Sequence, residues 1–145
     1  MALARLRVLL PPLWAGIVLA VGLLAAPAPF ATLAPADAGR VVGRLFAHEA
    51  YVSLAAALIF VMLDRRVGAR AMGSESLLAL AALFCTVAGY FAVQPMMEDA
   101  RAGRGPLGFA ALHALSLAFF GLKMLLLLVL AWRCAAGVNP PAPSS

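Results

Sequence analysis

The sequence predicts an all-α membrane protein, built as a bundle of four transmembrane helices with both ends in the cytoplasm. Three observations lead to this fold class: the composition, four long apolar segments and the placement of the arginines. Of the 145 residues, 65% are hydrophobic and 12% are charged, and mean hydropathy is +1.00. A water-soluble domain has about half its residues apolar and about a quarter charged. A soluble core of this size could not bury so much apolar surface, whereas a bilayer solvates it.

Four apolar segments each reach the roughly 20 residues that a helix needs to cross about 30 Å of hydrocarbon. They cover residues 6–26, 39–63, 76–97 and 109–132. The connections between them are short and rich in Gly, Pro or charged residues, as is typical of loops between helices. We therefore predict one transmembrane domain over residues 1–133 and a Pro-rich, disordered cytoplasmic tail over residues 134–145.

The charged residues predict the orientation of the bundle. One side carries the arginines Arg5, Arg7, Arg65, Arg66, Arg70 and Arg133. The other side carries the mixed set Asp37, Glu98, Asp99, Arg101 and Arg104. The positive-inside rule assigns the first side to the cytoplasm, so we expect a multi-pass protein of the bacterial inner membrane with both termini cytoplasmic. The net charge of +5 flanks apolar segments instead of forming one patch, which argues against nucleic-acid binding.

Small residues at four-residue spacing are expected to hold the helices together, because lipid provides no hydrophobic drive between them. The rows are Gly16 and Ala20, then Ala81, Cys85 and Gly89, and finally Ala110, Ala114 and Ala118. The two cysteines, Cys85 and Cys134, have neither a CxxC motif nor a disulfide-like spacing. We interpret both as small apolar packing residues.

Polar side chains inside the apolar segments are the candidates for a functional site, because such groups are costly in hydrocarbon. In the second segment, Arg40, Arg44, His48 and Tyr51 share one helical face, with Glu49 about a quarter turn away. The third segment aligns Thr86, Tyr90, Gln94 and Met97, and the fourth aligns His113, Ser116 and Lys123. Every stripe is expected to face the interior of the bundle. The predicted intramembrane cluster is Arg44, His48, Glu49, Gln94, His113, Ser116 and Lys123.

Three interpretations of this cluster remain open. It could be structural, with interhelical hydrogen bonds; it could hold a metal or haem between His48 and His113; or it could be a translocation or proton path through Arg44, Glu49, His113 and Lys123. Lys123 lies near mid-membrane and is expected to pair with a carboxylate, to donate to backbone carbonyls or to snorkel. Hydrolytic, nucleotide-binding and zinc-protease motifs are absent from the sequence. We therefore expect a non-enzymatic protein without a cofactor. Its partners are the lipid bilayer and, as an open question, a second copy or another membrane protein.

A set of short motifs carries a family resemblance over residues 6–132. They are Trp14-Ala-Gly16, Pro27-Ala-Pro29-Phe30 followed by Leu33, Ala38-Gly39, Gly43-Arg44-Leu45-Phe46, Pro95 with Arg101, and Phe109-Ala-Ala-Leu-His113-Ala-Leu-Ser116. In order and position this chain resembles the transmembrane protein 205-like family, whose bacterial members are catalogued as a domain of unknown function. The resemblance implies a four-helix integral membrane protein without an established reaction, acting in membrane homeostasis or small-solute handling.

The fourth segment departs from that family pattern. Members often carry Asn or Gln after the His-x-x-Ser motif, whereas this chain has Phe119, Phe120 and Gly121, followed by Lys123. The four-helix plan is also distantly similar to copper-resistance and haem-linked membrane oxidoreductase families. That second similarity implies the alternative function, a haem- or copper-handling protein with His48 and His113 as candidate ligands.

Overall fold

The computed structural model of the chain describes residues 1–68 and 73–137, and within these ranges all regular structure is helical. Four helices are long and apolar enough to cross a membrane, which confirms the predicted all-α, four-helix fold class. They are α1 (Ala2–Ala20, continued by a π-helical turn over Val21–Ala25), α2 (Pro35–Val67), α3 (Ser74–Arg101) and α4 (Phe109–Ala136). A short 3-10 helix, Ala28–Ala31, lies between α1 and α2. Arg70 and the tail beyond residue 137 lie outside the described residues.

The helices are longer than the apolar segments that predicted them. α2 begins at Pro35 and ends at Val67, four residues beyond the predicted segment at each end. Its added residues include Asp37 near the start and Arg65 near the end, where each charge complements the helix dipole. Proline at the first helical position also favours this start, because its missing N–H has no intrahelical partner there. Hydropathy finds the part of a helix that is apolar, and these charged turns extend past it.

Two prolines are each preceded by a widened helical turn. A π-helical turn over Val21–Ala25 comes before Pro27, and a second over Val87–Ala92 comes before Pro95. Proline lacks an N–H and its ring clashes with the carbonyl four residues earlier, and an extra residue in the preceding turn relieves that conflict.

Glycines in these two turns make room for α4: Gly22 leaves space for a phenylalanine ring, and Gly89 lets α3 approach α4 closely. A Cβ placed on Gly22 would lie 2.5 Å from Cε1 of Phe120, and one placed on Gly89 would lie 2.7 Å from Cβ of Phe119. Two adjacent phenylalanines of α4 therefore pack against two glycines on neighbouring helices. A larger residue at position 22 would displace the Phe120 ring, and one at position 89 would clash with the Cβ of Phe119.

The four helices stand at the corners of a square. α1 and α3 each pack against both α2 and α4, whereas across the described ranges the backbones of neither diagonal pair come close to each other. The half of the bundle that holds the start of α1 and the end of α4 has a dense apolar core. This core includes Trp14, Val18, Phe60, Leu127 and Leu130, all at most 1% exposed. Large apolar side chains such as Leu13, Phe84 and Leu125 cover the outside, as a bilayer requires.

The small-residue rows only partly form helix contacts. In α3, Cys85 and Gly89 are buried as predicted. The prediction was wrong for the row Gly16 and Ala20 and for the row Ala110, Ala114 and Ala118, all of which are exposed. Small residues permit close approach but do not determine which face a partner covers.

The helix ends that carry most of the arginines lie together at one end of the bundle. Arg7 of α1 donates to Asp64 of α2 at 2.6 Å, and Ser76 of α3 donates to the other oxygen of Asp64 at 2.5 Å. Arg133 of α4 pairs with Glu75 of α3 at 3.2 Å. The mixed charges lie at the opposite end, where Arg40 pairs with Asp37 and Arg104 with Asp99. We call these the arginine-rich end and the mixed-charge end.

Candidate functional site

An ion pair between Glu49 and Lys123 lies in the middle of the bundle. Nζ of Lys123 is 2.8 Å from Oε1 and 2.7 Å from Oε2 of Glu49, and each residue is only 3% exposed. Each lies 14 residues beyond the first residue of its helix, Pro35 of α2 and Phe109 of α4. At 1.5 Å per residue both are about 21 Å along parallel helices, so they have the same depth. The two side chains span the diagonal that the backbones leave open.

Two further side chains, Ser53 and Trp14, extend the hydrogen bonding that begins at this carboxylate. Ser53, one turn after Glu49, donates to Oε1 of Glu49 at 2.5 Å, and Nε1 of Trp14 donates to Oγ of Ser53 at 2.9 Å. A connected set thus links α1, α2 and α4. In the described ranges, no buried side-chain nitrogen or oxygen lacks a hydrogen-bond partner. Full satisfaction is what makes buried charge tolerable in a low-dielectric interior.

A cavity of about 610 Å³ extends from this ion pair to the mixed-charge end of the bundle. All four helices line it, together with residues near the α1–α2 connection, such as Phe30. Its volume lies within the range of about 300–1,000 Å³ found for small-molecule sites. The ion pair forms the inner floor of the cavity, and the dense core begins with Trp14 just beyond Ser53. The cavity therefore lies in the half of the bundle toward the mixed-charge end, and the half toward the arginine-rich end is filled by the apolar core.

Apart from Glu49 at the floor, all the polar side chains that line the cavity belong to α3 and α4; we call this side the polar wall, although Met97, Phe109, Leu117 and Phe120 also belong to it. The α1–α2 side contributes Ala26, Pro27, Phe30, Val42 and Phe46, and the α3–α4 side contributes Thr86, Tyr90, Gln94, Arg101, His113 and Ser116. Two of the polar groups already have a partner, since Thr86 donates to the carbonyl of Ala82 at 3.0 Å and Ser116 donates to that of Gly89 at 3.1 Å. Along α3, Tyr90, Gln94 and Arg101 follow Thr86 in the direction of the opening, and His113 lies in the second turn of α4 at the same end.

Three planar side chains stack at the opening. The guanidinium carbon of Arg101 lies 4.6 Å from the ring centroid of Phe109, which is the first residue of α4. The Phe109 ring stacks on His113, with centroids 5.7 Å apart and an angle of 10° between the planes. We call these residues the Arg101–Phe109–His113 stack. It places a cation and an imidazole on the polar wall at the mouth of the cavity.

Comparison with known proteins identifies the family of the chain. The sequence model described as "Domain of unknown function (DUF4149)" matches residues 9–106. The chain belongs to the DUF4149 family. The match covers most of α1, all of α2 and α3, and the connection that leads toward α4, so Trp14, Glu49 and Ser53 lie inside it and Lys123 lies beyond it. No curated protein and no solved structure matches this DUF4149 chain.

Five of the seven predicted site residues line the cavity of this DUF4149 protein. They are Glu49, Gln94, His113, Ser116 and Lys123. The α3 stripe of Thr86, Tyr90, Gln94 and Met97 faces the interior as predicted, and so does the α4 stripe of His113, Ser116 and Lys123. Of the three predicted environments for Lys123, the structure has the first, a carboxylate partner.

The predicted inward face of α2 was wrong. Arg40, Arg44, His48 and Tyr51 are exposed on the outside of the bundle. Glu49, expected to point away from that stripe, is the residue that faces inward. Arg40 and Arg44 lie in the first three turns of α2, where a long side chain can extend to the membrane surface and keep its charge hydrated. Glu49 lies deeper and has no such route, so it needs an internal partner.

The two histidines do not share the cavity. His113 lines the opening, whereas His48 lies on the exposed face of α2. Within residues 1–68 and 73–137, no group of three or more His, Cys, Asp or Glu side chains could hold a metal ion. Arg101, Ser53 and Trp14 are the functional candidates that sequence reasoning missed. A serine at i+4 from an intramembrane acid was the available signal for Ser53, because that spacing brings the two side chains together.

Proposed function

We propose that this DUF4149 chain is a non-enzymatic, multi-pass protein of the bacterial inner membrane, of the transmembrane protein 205-like kind, which takes up a small solute in its cavity. The observation that carries the proposal is that one half of the bundle contains a cavity while the other half is filled by the apolar core. The cavity reaches the mixed-charge end, and the Glu49–Lys123 ion pair and the apolar core close its inner end. This architecture is that of a binding pocket.

The chemistry of the lining supports binding over catalysis. Glu49 and Lys123 satisfy each other, and the hydroxyls of Thr86 and Ser116 are bound to carbonyls. A nucleophile needs an adjacent base within hydrogen-bond reach, and the hydrogen bonds of these hydroxyls go to backbone oxygens instead. The remaining polar groups can recognise a ligand without transforming it.

The orientation of the bundle decides which compartment the cavity faces. The arginine-rich end carries Arg5, Arg7, Arg65, Arg66 and Arg133, and the positive-inside rule supports a cytoplasmic location for it. The mixed-charge end, with the opening of the cavity, then faces the periplasm. In this orientation the protein receives its solute from outside the cytoplasmic membrane.

Paired cysteines on α4 test both the cavity and its sidedness. Ser116 lines the cavity, whereas Ala118, two residues further along the same helix, is exposed on the outside. We would introduce Ser116→Cys or Ala118→Cys into a chain whose native thiols are replaced by Cys85→Ala and Cys134→Ala. The reagent is a charged, membrane-impermeant methanethiosulfonate, added to spheroplasts or to inverted membrane vesicles.

The proposal predicts that the cysteine at 116 reacts in spheroplasts and is protected in inverted vesicles. The cysteine at 118 should stay unreactive in both preparations, because hydrocarbon excludes the charged reagent and disfavours the thiolate that would attack it. Reaction at 116 only in inverted vesicles would indicate that the bundle has the opposite orientation in the membrane. No reaction at 116 in either preparation would contradict a cavity open to solutes.

A further inference from the structure

The polar wall of the cavity carries four groups with unused hydrogen-bonding capacity. In the part of the chain that the structure describes, the side chains of Tyr90, Gln94, Arg101 and His113 make no intramolecular hydrogen bond. All four line the same cavity. Deeper in the cavity the polar side chains are hydrogen-bonded, so the unused donors and acceptors are concentrated toward the opening.

Arg101 supplies the uncompensated charge of this wall. The neighbouring Asp99 is paired with Arg104 at 2.8 Å, and Glu49 is paired with Lys123 at the floor. Over the two described ranges, Arg101 has no carboxylate within the 4.0 Å that defines an ion pair. Since Glu49 and Lys123 cancel, the net charge of the lining is the positive charge of Arg101; Glu98, one turn before Arg101 on α3, is exposed and does not line the cavity. The first turn of α4, where Phe109 and His113 begin the helix, adds the positive end of a helix dipole.

The α1–α2 side of the cavity favours contact with a hydrocarbon chain. Phe30 and Val42 face the cavity from the α1–α2 side, and Phe46 meets Phe120 edge to face, with ring centroids 5.2 Å apart. These side chains give a ligand apolar contact but no polar partner. A ligand that fits both walls carries an anionic group at one end and an apolar body along its length.

We infer that the cavity binds an alkyl chain that ends in a single anionic group. The carboxylate or phosphate contacts the Arg101 guanidinium, which offers a planar set of donors suited to both anions. His113 and Gln94 supply further hydrogen bonds, and the chain runs inward toward Phe46 and Phe120. This inference rests on the proposed function and names the ligand class for the same cavity.

Photo-crosslinking of purified protein in phosphatidylcholine nanodiscs tests the inference. The probes are three dodecyl chains with a mid-chain diazirine, ending in a carboxylate, a phosphate monoester or an alcohol. Labelled residues are mapped by mass spectrometry of the full chain. Empty nanodiscs and unlabelled competitor correct for partition into lipid, and the two anionic probes distinguish a fatty acid from a lipid phosphate as the source.

The structure predicts that an anionic probe labels cavity residues such as Phe46 and Leu117 at least about tenfold more than the alcohol, because a charge-assisted hydrogen bond is the added interaction. Arg101→Gln should lower anionic labelling to the level of the alcohol and leave alcohol labelling unchanged. Arg104→Gln is the matched control, because Arg104 is nearby and exposed but paired with Asp99 and absent from the cavity lining. Arg104→Gln should leave the labelling by all three probes unchanged.

Two results would overturn the inference. One is equal labelling by all three probes; the other is an equal loss of anionic labelling in Arg101→Gln and Arg104→Gln, which would show attraction by surface charge alone. Arg101 is exposed, so Arg101→Gln should fold, and thermal unfolding in the same nanodiscs checks this. If Arg101→Gln does not fold, His113→Leu gives the second readout, with a smaller selective loss for the anions. The thiol test at position 116 is independent, so an open cavity with no preference for anions refutes the ligand class alone.

Discussion

Lys123 of α4 reaches across the open diagonal of the bundle to hold both carboxylate oxygens of Glu49 on α2, at 2.8 and 2.7 Å. The contact connects two helices whose backbones do not touch in the described ranges. It also divides the bundle, with a cavity on one side and an apolar core on the other. The same ion pair therefore contributes to the stability of the bundle and closes the cavity at its floor.

Replacing one member of the pair should be costly. Lys123→Met keeps the length of the side chain but leaves the Glu49 carboxylate buried with only Ser53 as a donor. Removal of one partner from a buried pair costs about 3–5 kcal/mol. We expect a loss of this size in the free energy of unfolding, measured by SDS titration in mixed micelles. Leu125→Met, at an exposed position of the same helix, is the control, and an equal effect of both variants would argue against a special role for Lys123.

Ser53 should contribute more than a hydroxyl that bonds to its own helix. Ser53→Ala leaves Nε1 of Trp14 without its acceptor and removes one donor from Glu49. An unsatisfied buried group costs about 1–3 kcal/mol. Thr86→Val is the comparison, because the Thr86 hydroxyl bonds only to the Ala82 carbonyl of its own helix, so its removal should change the free energy of unfolding little. Similar losses in the two variants would contradict the connected set.

Gly89 should not tolerate a methyl group. The added Cβ of Gly89→Ala would lie 2.7 Å from Cβ of Phe119, which cannot move without shifting α4. Overpacking of this kind costs about 1–3 kcal/mol. Gly16→Ala has open space around it in α1, and the better helix propensity of alanine should make it neutral or stabilising by up to about 1 kcal/mol. Thermal unfolding measures the midpoints of both variants. Equal midpoints for Gly89→Ala and Gly16→Ala would contradict the packing described for Phe119.

The ion pair at the arginine-rich end should matter more than the exposed one at the other end. Asp64 is 6% exposed and accepts from both Arg7 and Ser76. Asp64→Asn weakens both bonds, and hydrogen bonds to a charged group contribute about 1.5–3 kcal/mol. Asp37→Asn removes an exposed pair with Arg40 and should change the free energy of unfolding by less than about 1 kcal/mol. SDS titration of both variants measures the difference, and a larger effect at Asp37 would reverse this ranking.

The fold could be predicted from sequence because hydrocarbon imposes a simple condition on every residue. Apolar segments of sufficient length must form helices in a bilayer, and residues 109–132 of this chain gave the start of α4 at Phe109. The ends of α2 could not be placed the same way. Charged turns such as that of Arg65 and Arg66 remain helical where water is available, and hydropathy assigns them to loops.

The inward face of α2 could not be read from polarity. His48 and Glu49 are adjacent and point about 100° apart, so at most one can face the centre. The buried residues Ala50, Ser53 and Ala57 follow a helical spacing and mark the inward face by their small size. The same criterion fails on α4, where Ala110, Ala114 and Ala118 are exposed. Packing against specific neighbours decides between such faces, and a single sequence does not encode those neighbours locally.

The depth of a residue within its helix carried information that polarity did not. Glu49 and Lys123 are equally far from the starts of two parallel helices, and opposite charges at equal depth are natural partners. The predicted start of α2 at residue 39 placed Glu49 four residues too near the surface and hid this match. A correct start at Pro35 brings the two into register.

A charge exchange tests the central claim, that Glu49 and Lys123 are direct partners at the floor of the cavity. The measurement is the free energy of unfolding of Glu49→Lys, Lys123→Glu and the double variant, by SDS titration in mixed micelles. Each single variant buries two like charges, whereas the double variant restores an opposite pair. We expect the double variant to be more stable than either single variant, with a coupling energy of at least about 3 kcal/mol. Additive losses in the double variant would contradict the pairing.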